Sequence, residues 1–130
     1  MFEVKPYSPE NYAELSQWWA EWGWPPIPEA YLPPDGLIVS AEGKNICAAF
    51  LYRTNTPICW AENYISFKGA DKRIRQNALD LLIESLVEKA MTFNFQVVMS
   101  SIHHPVLGKR LEKSGFIVSD TNMTTYMRKV

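Results

Sequence analysis

Hydrophobic and polar positions near the start of the chain predict a strand followed by a helix. The segment "FEVKPY" alternates weakly, which is typical of a short strand. Ser8 followed by Pro9 is a typical helix start, because a hydroxyl caps the free amides and proline suits the first turn. Apolar residues at spacings of three and four then predict a helix from Pro9 to about Trp22, and Gly23 ends it.

The middle of the chain has the pattern of an antiparallel meander. Leu37–Ser40 and Ile46–Tyr52 are apolar runs on either side of a turn at Glu42-Gly43-Lys44, which predicts a hairpin. The segment "ICWAENYISF", residues 58–67, follows as a long third strand. Regular alternation predicts two faces for this strand, the first with Trp60, Glu62, Tyr64 and Ser66, the second with Cys59, Ala61, Asn63, Ile65 and Phe67.

A long helix and a buried strand are predicted next. Asp71 is a suitable N-cap for a helix from Lys72 to about Thr92, whose apolar positions form a wide stripe. The segment "FQVVMSSI", residues 95–102, is almost wholly apolar, which is typical of a central strand.

The last part of the chain predicts a short helix and two more strands. Pro105 begins the helix and Gly115 ends it. The segments "GFIVSD" and "TTYMRKV" predict the final two strands. The element order is β-α-(short helix)-β-β-β-α-β-α-β-β, which indicates an α/β fold with mixed strand pairing in a single domain over residues 1–130.

Composition is ordinary for a soluble globular protein. The chain has 47% hydrophobic and 21% charged residues and a net charge of -1, so it lacks the basic excess typical of nucleic-acid binding. No apolar run approaches the roughly 20 residues of a membrane span. The N-terminus has no signal-peptide pattern, and Cys47 and Cys59 are expected to be free buried thiols. We therefore expect a cytosolic protein without membrane partners.

Tryptophan is concentrated in one place. Four of the five tryptophans lie in "WWAEWGW", which prolines follow. Trp18 and Trp19 are adjacent and point about 100° apart on a helix, so at least one should be partly exposed or cover another element. This Trp-Pro segment, residues 18–34, is either a stiff aromatic wall for an acceptor, a partner protein or a second copy, or simply core volume.

The stretch "ADKRIRQNALDLL" at the start of the long helix, together with "LEKSGF" before a terminal hairpin, carries a family resemblance. With the element order, it resembles the GCN5-related N-acetyltransferase (GNAT) superfamily. The resemblance implies a mixed central sheet of six to seven strands flanked by three to four helices. It also implies that the sheet splays open between "ICWAENYISF" and "FQVVMSSI", with acetyl-CoA bound in the split for acetyl transfer to an amine.

The resemblance implies a cofactor loop at the start of the long helix. The family pattern is Arg/Gln-x-x-Gly-x-Gly/Ala, in which small residues let phosphates approach the amides of the helix start. Arg73 matches the first position and Ala78 the last, whereas Gln76 replaces the first glycine. The acetyl-CoA contacts implied are Phe67, Lys68, Arg73, Ile74, Arg75, Gln76, Asn77, Ala78 and His104.

Cations at this helix start also indicate an anion site. Lys72, Arg73 and Arg75 lie together where positive charge is mildly unfavourable for the helix dipole. The alternative is a solvated, capped helix end whose cations happen to cluster.

Two further features bear on catalysis. The resemblance implies a carboxylate base on the fourth strand, and Glu62 is the only acid there. The alternative for Glu62 is a solvated carboxylate or an ion pair with Lys68 or Arg53. The resemblance implies a tyrosine acid at the position of Leu111, which cannot donate a proton. Tyr126, on the predicted last strand, is a second candidate catalytic residue, although nothing in the sequence places it at the site.

A pair of histidines follows the strand "FQVVMSSI". His104 occupies about the position of a family asparagine, and the pair His103-His104 either relays protons or caps the next helix. No third ligand at a suitable spacing accompanies the pair, so we predict no metal site.

Two functions remain open. One is an active N-acyltransferase with an unidentified amine acceptor, and the other is a GNAT-fold protein that has lost catalysis and serves as a binding or virion-associated module. The "WWxxWGWPP" segment resembles small acetyltransferase-like proteins encoded by bacteriophages, which implies a host cytoplasm or a virion as the setting.

Overall fold

The computed structural model describes residues 1–130 as one five-stranded sheet with three α-helices. Single 3₁₀ turns precede the first helix and the second strand. No helix combines the length and apolar composition that a bilayer crossing requires. The strands are β1 (Phe2–Pro6), β2 (Gly36–Ala41), β3 (Lys44–Tyr52), β4 (Ile58–Ser66) and β5 (Val97–Met99), and the helices are α1 (Tyr12–Glu21), α2 (Lys72–Thr92) and α3 (Pro105–Lys113).

Strand pairing in the sheet is mixed, as the element order predicted. The spatial order is β1-β2-β3-β4-β5, in which the first three pairs are antiparallel and β4 pairs with β5 in parallel. A parallel pair requires a crossover, and α2 provides it. β5 therefore lies at one edge of the sheet, with β4 as its single neighbour.

The helices cover the two faces of the sheet separately. On one face, Leu15, Trp18 and Trp19 of α1 pack in a cluster with residues that include Phe50. Both adjacent tryptophans are 3% exposed, and Trp18 stacks on Phe67 with ring centroids 6.0 Å apart. These two tryptophans are thus core residues. On the other face, α2 packs through a buried stripe made of Ala78, Leu82, Ile83, Leu86 and Ala90.

Asp71 caps α2 as predicted. Its carboxylate accepts hydrogen bonds from the backbone N–H groups of Arg73 and Ile74, at 3.0 and 3.1 Å. These bonds satisfy two of the free amides at the helix start and place a negative charge at the positive end of the helix dipole.

β4 contains a bulge at its centre. Ala48 pairs with Ile65, but Phe50 pairs with Glu62, so β4 carries one more residue than β3 over this stretch. Asn63 lies within it at φ 59°, in the left-handed region that asparagine tolerates better than most residues.

The bulge overturns the regular alternation predicted along β4. Cys59 and Ala61 pack in the cluster with α2, whereas Ile65 packs in the cluster with α1 on the opposite face, and Phe67 contacts that second cluster. An extra residue in a strand reverses which side chains face which layer, so the prediction of one common face for these residues is wrong beyond Asn63.

The two strands predicted after α3 are absent. Residues 117–130 form no helix or strand and make no backbone–backbone hydrogen bond, so the predicted six to seven strands are five. β5 is also shorter than the predicted 95–102, because it pairs with β4 only over Val97–Met99. Local sequence favours extended backbone in both places, but a strand exists only where a neighbouring strand accepts its hydrogen bonds.

Both cysteines are free and buried, as predicted. Burial raises the pKa of Cys47 and of Cys59, so both thiols stay protonated near neutral pH. They contribute to the core rather than to chemistry.

Candidate functional site

β4 and β5 separate after three residue pairs, and side chains bridge the opening. The last paired residues are Trp60 and Met99. Just beyond them, Glu62 accepts hydrogen bonds from the backbone N–H of Ser101 at 2.7 Å and from the Ser101 hydroxyl at 2.8 Å. A carboxylate of β4 thus lies at the mouth of the split between the two strands.

A second bridge crosses the same opening. The Ser100 hydroxyl donates to the carbonyl of Ala61 at 2.6 Å and lies 3.0 Å from the Tyr64 hydroxyl. Because serine has one hydroxyl proton, Tyr64 is the donor in the second bond. Burial raises the pKa of Tyr64 to about 12, so its phenol stays protonated near neutral pH.

The bulge residue Asn63 is held by its own side chain. Its amide donates to the Tyr52 hydroxyl at 2.7 Å, and that hydroxyl donates to the carbonyl of Tyr31 at 2.9 Å. Bulges and left-handed backbone occur often next to functional sites, because they change the direction of a strand locally. Sequence reasoning missed this residue. The available signal was an asparagine in mid-strand, where that residue type is uncommon.

A cleft of about 250 Å³ lies beside the second half of β4. Its walls are the starts of α2 and α3 and two residues of the Trp-Pro segment, Trp22 and Trp24. Three of the lining residues are cations, Lys72, Arg75 and Arg110, and no carboxylate is among them. Arg110 is paired with Asp80, which is not part of the lining, so Lys72 and Arg75 carry the unpaired positive charge. In a chain with net charge -1, these two cations indicate a site for an anionic ligand.

Tryptophans form the wall opposite α3. The Trp22 indole donates to the carbonyl of Ser66 at 2.8 Å, which fixes the end of α1 against the end of β4. Trp24 stacks on Trp22 with ring centroids 5.7 Å apart and is 45% exposed. Lys68 and Arg75 lie over the Trp22 ring at 5.3 and 5.7 Å, within cation–π range.

Arg75 both lines the cleft and holds the loop before α2. One guanidinium nitrogen donates to the carbonyls of Lys68 and Ala70, each at 3.1 Å. A guanidinium has five N–H donors, so the remaining ones are free to bind an anion in the cleft.

The backbone amides at the α2 start are less available than the family resemblance implied. Asp71 already occupies the N–H groups of Arg73 and Ile74. Its carboxylate also lies where an incoming phosphate would meet it, and like charges repel. Binding of an anion in this cleft therefore depends on the side chains of Lys72 and Arg75 more than on the backbone.

Among the residues predicted from the sequence, four lie together at the cleft: Lys72 of the predicted cation cluster, and Arg75, Gln76 and His104 of the implied acetyl-CoA contacts. Lys68 lies over the Trp22 ring at the edge of the cleft. Phe67 stacks on Trp18, and its ring occupies the space where a side chain at Gly69 would lie. The others lie away from the cleft lining: Arg73, Ile74 and Asn77 are exposed, Ala78 is completely buried, and Tyr126 is exposed in the C-terminal segment.

The start of α3 supplies the remaining wall. His104 caps this helix, because its Nδ1 accepts from the backbone N–H of Val106 at 3.2 Å, and this confirms the capping interpretation. Arg110 pairs with Asp80 of α2 at 3.0 Å, which fixes the two helices together. Leu111 is buried and its side chain is apolar, so this position offers no proton donor to the cleft.

Glu62 has neither of the ion-pair partners considered from the sequence. Arg53 pairs with Asp35 at 2.8 Å, and the Lys68 ammonium faces the carbonyl of Glu21 at 3.4 Å. The carboxylate of Glu62 is therefore held only by Ser101, at the edge of the opening.

Solved structures share this fold at low sequence identity. A transcriptional regulator from Bacillus halodurans C-125 matches with a TM-score of 0.74 and 10% identity over 98% of this chain and 100% of that one. A ribosomal-protein-alanine N-acetyltransferase from Brucella melitensis biovar Abortus 2308 matches with 0.68 and 14% identity over 99% of both chains. An acetyltransferase from Trypanosoma brucei matches with 0.65 and 14% identity over 98% and 100%.

No protein-family model matches the sequence, and no curated protein matches it. The similarity is thus one of fold: the chain has the mixed α/β fold of these acetyltransferases, as the resemblance implied.

Proposed function

We propose that this protein is an N-acyltransferase of the GNAT type that binds acetyl-CoA in the cleft between β4, α2 and α3. The observation that carries the proposal is the cleft itself, which has three cations and no carboxylate and lies beside the opening between β4 and β5. A ligand with phosphates and a long apolar-amide arm matches both parts of that arrangement.

The chain's own residues divide the binding task. Lys72 and Arg75, which are in no salt bridge, neutralise phosphate charge, whereas Arg110 is already paired with Asp80. The amide of Gln76 adds a hydrogen-bond donor where the family has glycine. Trp24 offers an exposed ring face at the cleft wall for stacking.

Acetyl-CoA supplies a thioester whose carbonyl carbon an amine attacks, with the coenzyme A thiolate as the leaving group. Glu62 acts as the base that takes the proton of the amine. Both of its oxygens are bonded to Ser101, but a carboxylate has about four acceptor positions and retains capacity for one more proton donor. Tyr64, which sequence reasoning did not select, lines the cleft, and its protonated hydroxyl donates to the leaving group by giving up its hydrogen bond to Ser100.

The acceptor, the role of Tyr126, the partner of the Trp-Pro segment and the cellular setting remain part of this proposal. The acceptor is an amine of unidentified type, and Tyr126 keeps its role as a candidate acid only if its segment reaches a cleft. The Trp-Pro segment as a surface for a protein partner or a homodimer, the cytoplasmic or virion setting and the phage origin also stay predictions.

A catalytically inactive binding protein is the second candidate. It is favoured by the Asp71 cap, which occupies two amides of the α2 start, and by the buried Leu111 at the position of the family's acid. This candidate binds an anionic ligand in the same cleft but transfers no acyl group.

Calorimetric titration of the full chain with acetyl-CoA tests the proposal. Arg75→Gln should weaken binding by about tenfold or more, because it removes charge-assisted hydrogen bonds to phosphate. Arg73→Gln is the matched control: Arg73 is exposed beside the same helix start but does not line the cleft, so its loss should change affinity little. Absence of binding at millimolar acetyl-CoA would contradict the proposal.

Thiol release in the presence of a panel of primary amines separates the two candidates. The acyltransferase releases free coenzyme A with at least one amine above the rate of hydrolysis. Binding without any amine-dependent thiol release would favour the inactive binding protein.

A further inference from the structure

A second cavity lies between the start of α1 and the Trp-Pro segment. Its volume is about 330 Å³, and its walls are residues 7–9 on one side and Glu29 with residues 32–34 on the other. None of these residues lines the cleft proposed for acetyl-CoA. Three of the lining residues are prolines, so the walls are stiff before a ligand arrives.

Glu29 carries the only charge in this cavity. No other acid and no lysine or arginine lines it, and Glu29 is in no salt bridge. Burial, and then the nearby Glu29 carboxylate, raise the pKa of the Tyr7 phenol, so the phenol stays neutral near neutral pH. The Tyr7 hydroxyl is buried without a hydrogen-bond partner, and a bound ligand or water satisfies such a group. The cavity therefore favours a cation with N–H donors.

The sequence around the cavity is acidic. Residues 6–43 contain six acidic residues and no lysine or arginine, whereas the rest of the chain contains all 13 lysines and arginines. A positively charged ligand is therefore attracted to the surface that this segment forms. No cation of the same segment competes for Glu29.

The cavity lies on the same face of the sheet as Glu62. Phe50 packs with α1, and Glu62 is its partner on β4, so the two side chains point to one face. On its other side Phe50 pairs with Gly36, and Tyr7 fills the space where a side chain at Gly36 would lie. The Tyr7 ring meets the Phe50 ring with centroids 4.9 Å apart. Tyr7 at the cavity is thus two strand spacings from Glu62, which is about 10 Å.

We propose that the acceptor of the acyl group is an amine with a second cationic group about 10 Å from the reacting nitrogen, and that Glu29 binds this second group. The inference rests on the proposed function, because Glu62 receives the reacting amine there. An acceptor with an uncharged tail would leave Glu29 unpaired.

The second cation takes no part in bond making. The reacting nitrogen, in its neutral form, bonds to the acyl carbon, and the carbon–sulfur bond breaks. One proton of the amine passes to Glu62, and the thiolate receives the proton of Tyr64. The group at Glu29 stays protonated throughout and fixes the far end of the acceptor, which orients the reacting end.

Steady-state thiol release with a matched pair of acceptors tests the inference. Diaminooctane has an ammonium group at both ends, whereas aminooctanol has a hydroxyl in place of one of them on the same carbon chain. After correction for its two reactive ends, diaminooctane should have a kcat/KM about fivefold higher at low ionic strength. Added salt should reduce this preference, because it screens the charge of Glu29.

Glu29→Gln should remove the preference and leave kcat/KM for aminooctanol unchanged. Glu10→Gln is the matched control, because Glu10 is an exposed acid of the same segment that does not line the cavity. It should keep the preference. Equal kcat/KM for the two acceptors with the wild type, or a preference that survives in Glu29→Gln, would overturn the inference and leave acyl transfer itself intact.

Protein NMR separates failure of this inference from failure of the proposed function. Diaminooctane should shift the amide resonances of Ser8, Glu29 and Leu32, and aminooctanol should shift them much less. This readout needs no turnover, so it tests the cavity even in a protein that transfers no acyl group. Absence of a selective shift at these residues would overturn the inference.

Discussion

From Ile58 to Trp60, β4 pairs with β5 residue by residue, whereas from Glu62 onward its side chains bridge to serines that lie outside the ladder. The first half exposes apolar side chains beside an open sheet edge. The second half lines a cleft with three cations. A single strand therefore contributes to two surfaces of different chemistry.

The difference between the two halves comes from one inserted residue and one short partner. The bulge at Asn63 reverses which side chains face each layer, and β5 stops pairing at Met99. The candidate site thus lies where the sheet is interrupted, and the apolar edge lies where the sheet is regular.

The largest expected effect belongs to the carboxylate at the junction of the two halves. Glu62→Gln should lower amine-dependent turnover by about a hundredfold or more, because removal of a general base costs that much. Acetyl-CoA affinity should stay the same, because Glu62 is not among the residues that line the cleft. The measurement is steady-state thiol release beside calorimetry.

Ser101→Ala is the control for Glu62→Gln, since it removes one of the two bonds to the carboxylate and leaves the charge in place. Its turnover should fall by less than about tenfold. Equal turnover in Glu62→Gln and the wild type would show that the base is another group.

A smaller effect is expected from making β4 regular. Asn63→Val places a β-branched residue at φ 59° and removes the bond to Tyr52, so the free energy of unfolding should fall by about 1–3 kcal/mol. Acetyl-CoA affinity should fall with it, because the cleft wall moves. Urea denaturation and calorimetry measure the two changes.

Asn63→Gly separates backbone strain from the lost side-chain bond, because glycine adopts positive φ freely. It should destabilise by about 1 kcal/mol, the usual contribution of one hydrogen bond. If valine is tolerated as well as glycine at this position, the left-handed backbone does not hold the bulge.

The smallest effect is expected in the first half of β4. Trp60→Thr alters an exposed side chain outside the cleft, so acetyl-CoA affinity should stay within about twofold of the wild type. A large loss of acetyl-CoA affinity would mean that the two surfaces are not separate.

Much of the fold follows from local sequence signals. The hairpin of β2 and β3, the Asp71 cap of α2 and the Pro105 start of α3 are confirmed, because each depends on a few neighbouring residues. The cations of the candidate site were visible for the same reason. The sequence did not indicate that Lys72 and Arg75 line the same cleft as Arg110, because α3 lies far along the chain from α2.

The errors arose where distant parts of the chain decide. Alternation along β4 gave no indication that Asn63 would adopt a left-handed backbone, because that choice depends on Tyr52 and Tyr31. The segments after Gly115 have strand-forming residues, but whether they pair depends on which edge they reach. Asp71 was predicted as a cap, yet its competition with a phosphate for the same amides became visible only in the geometry.

Hydrogen exchange along β4 with and without acetyl-CoA shows which half of the strand meets the cofactor. Added protection is expected in peptides covering Tyr64–Ser66 and the starts of α2 and α3, with no change over Ile58–Trp60. Equal protection along the whole of β4, or protection confined to segments away from the cleft, would contradict binding of acetyl-CoA in this cleft.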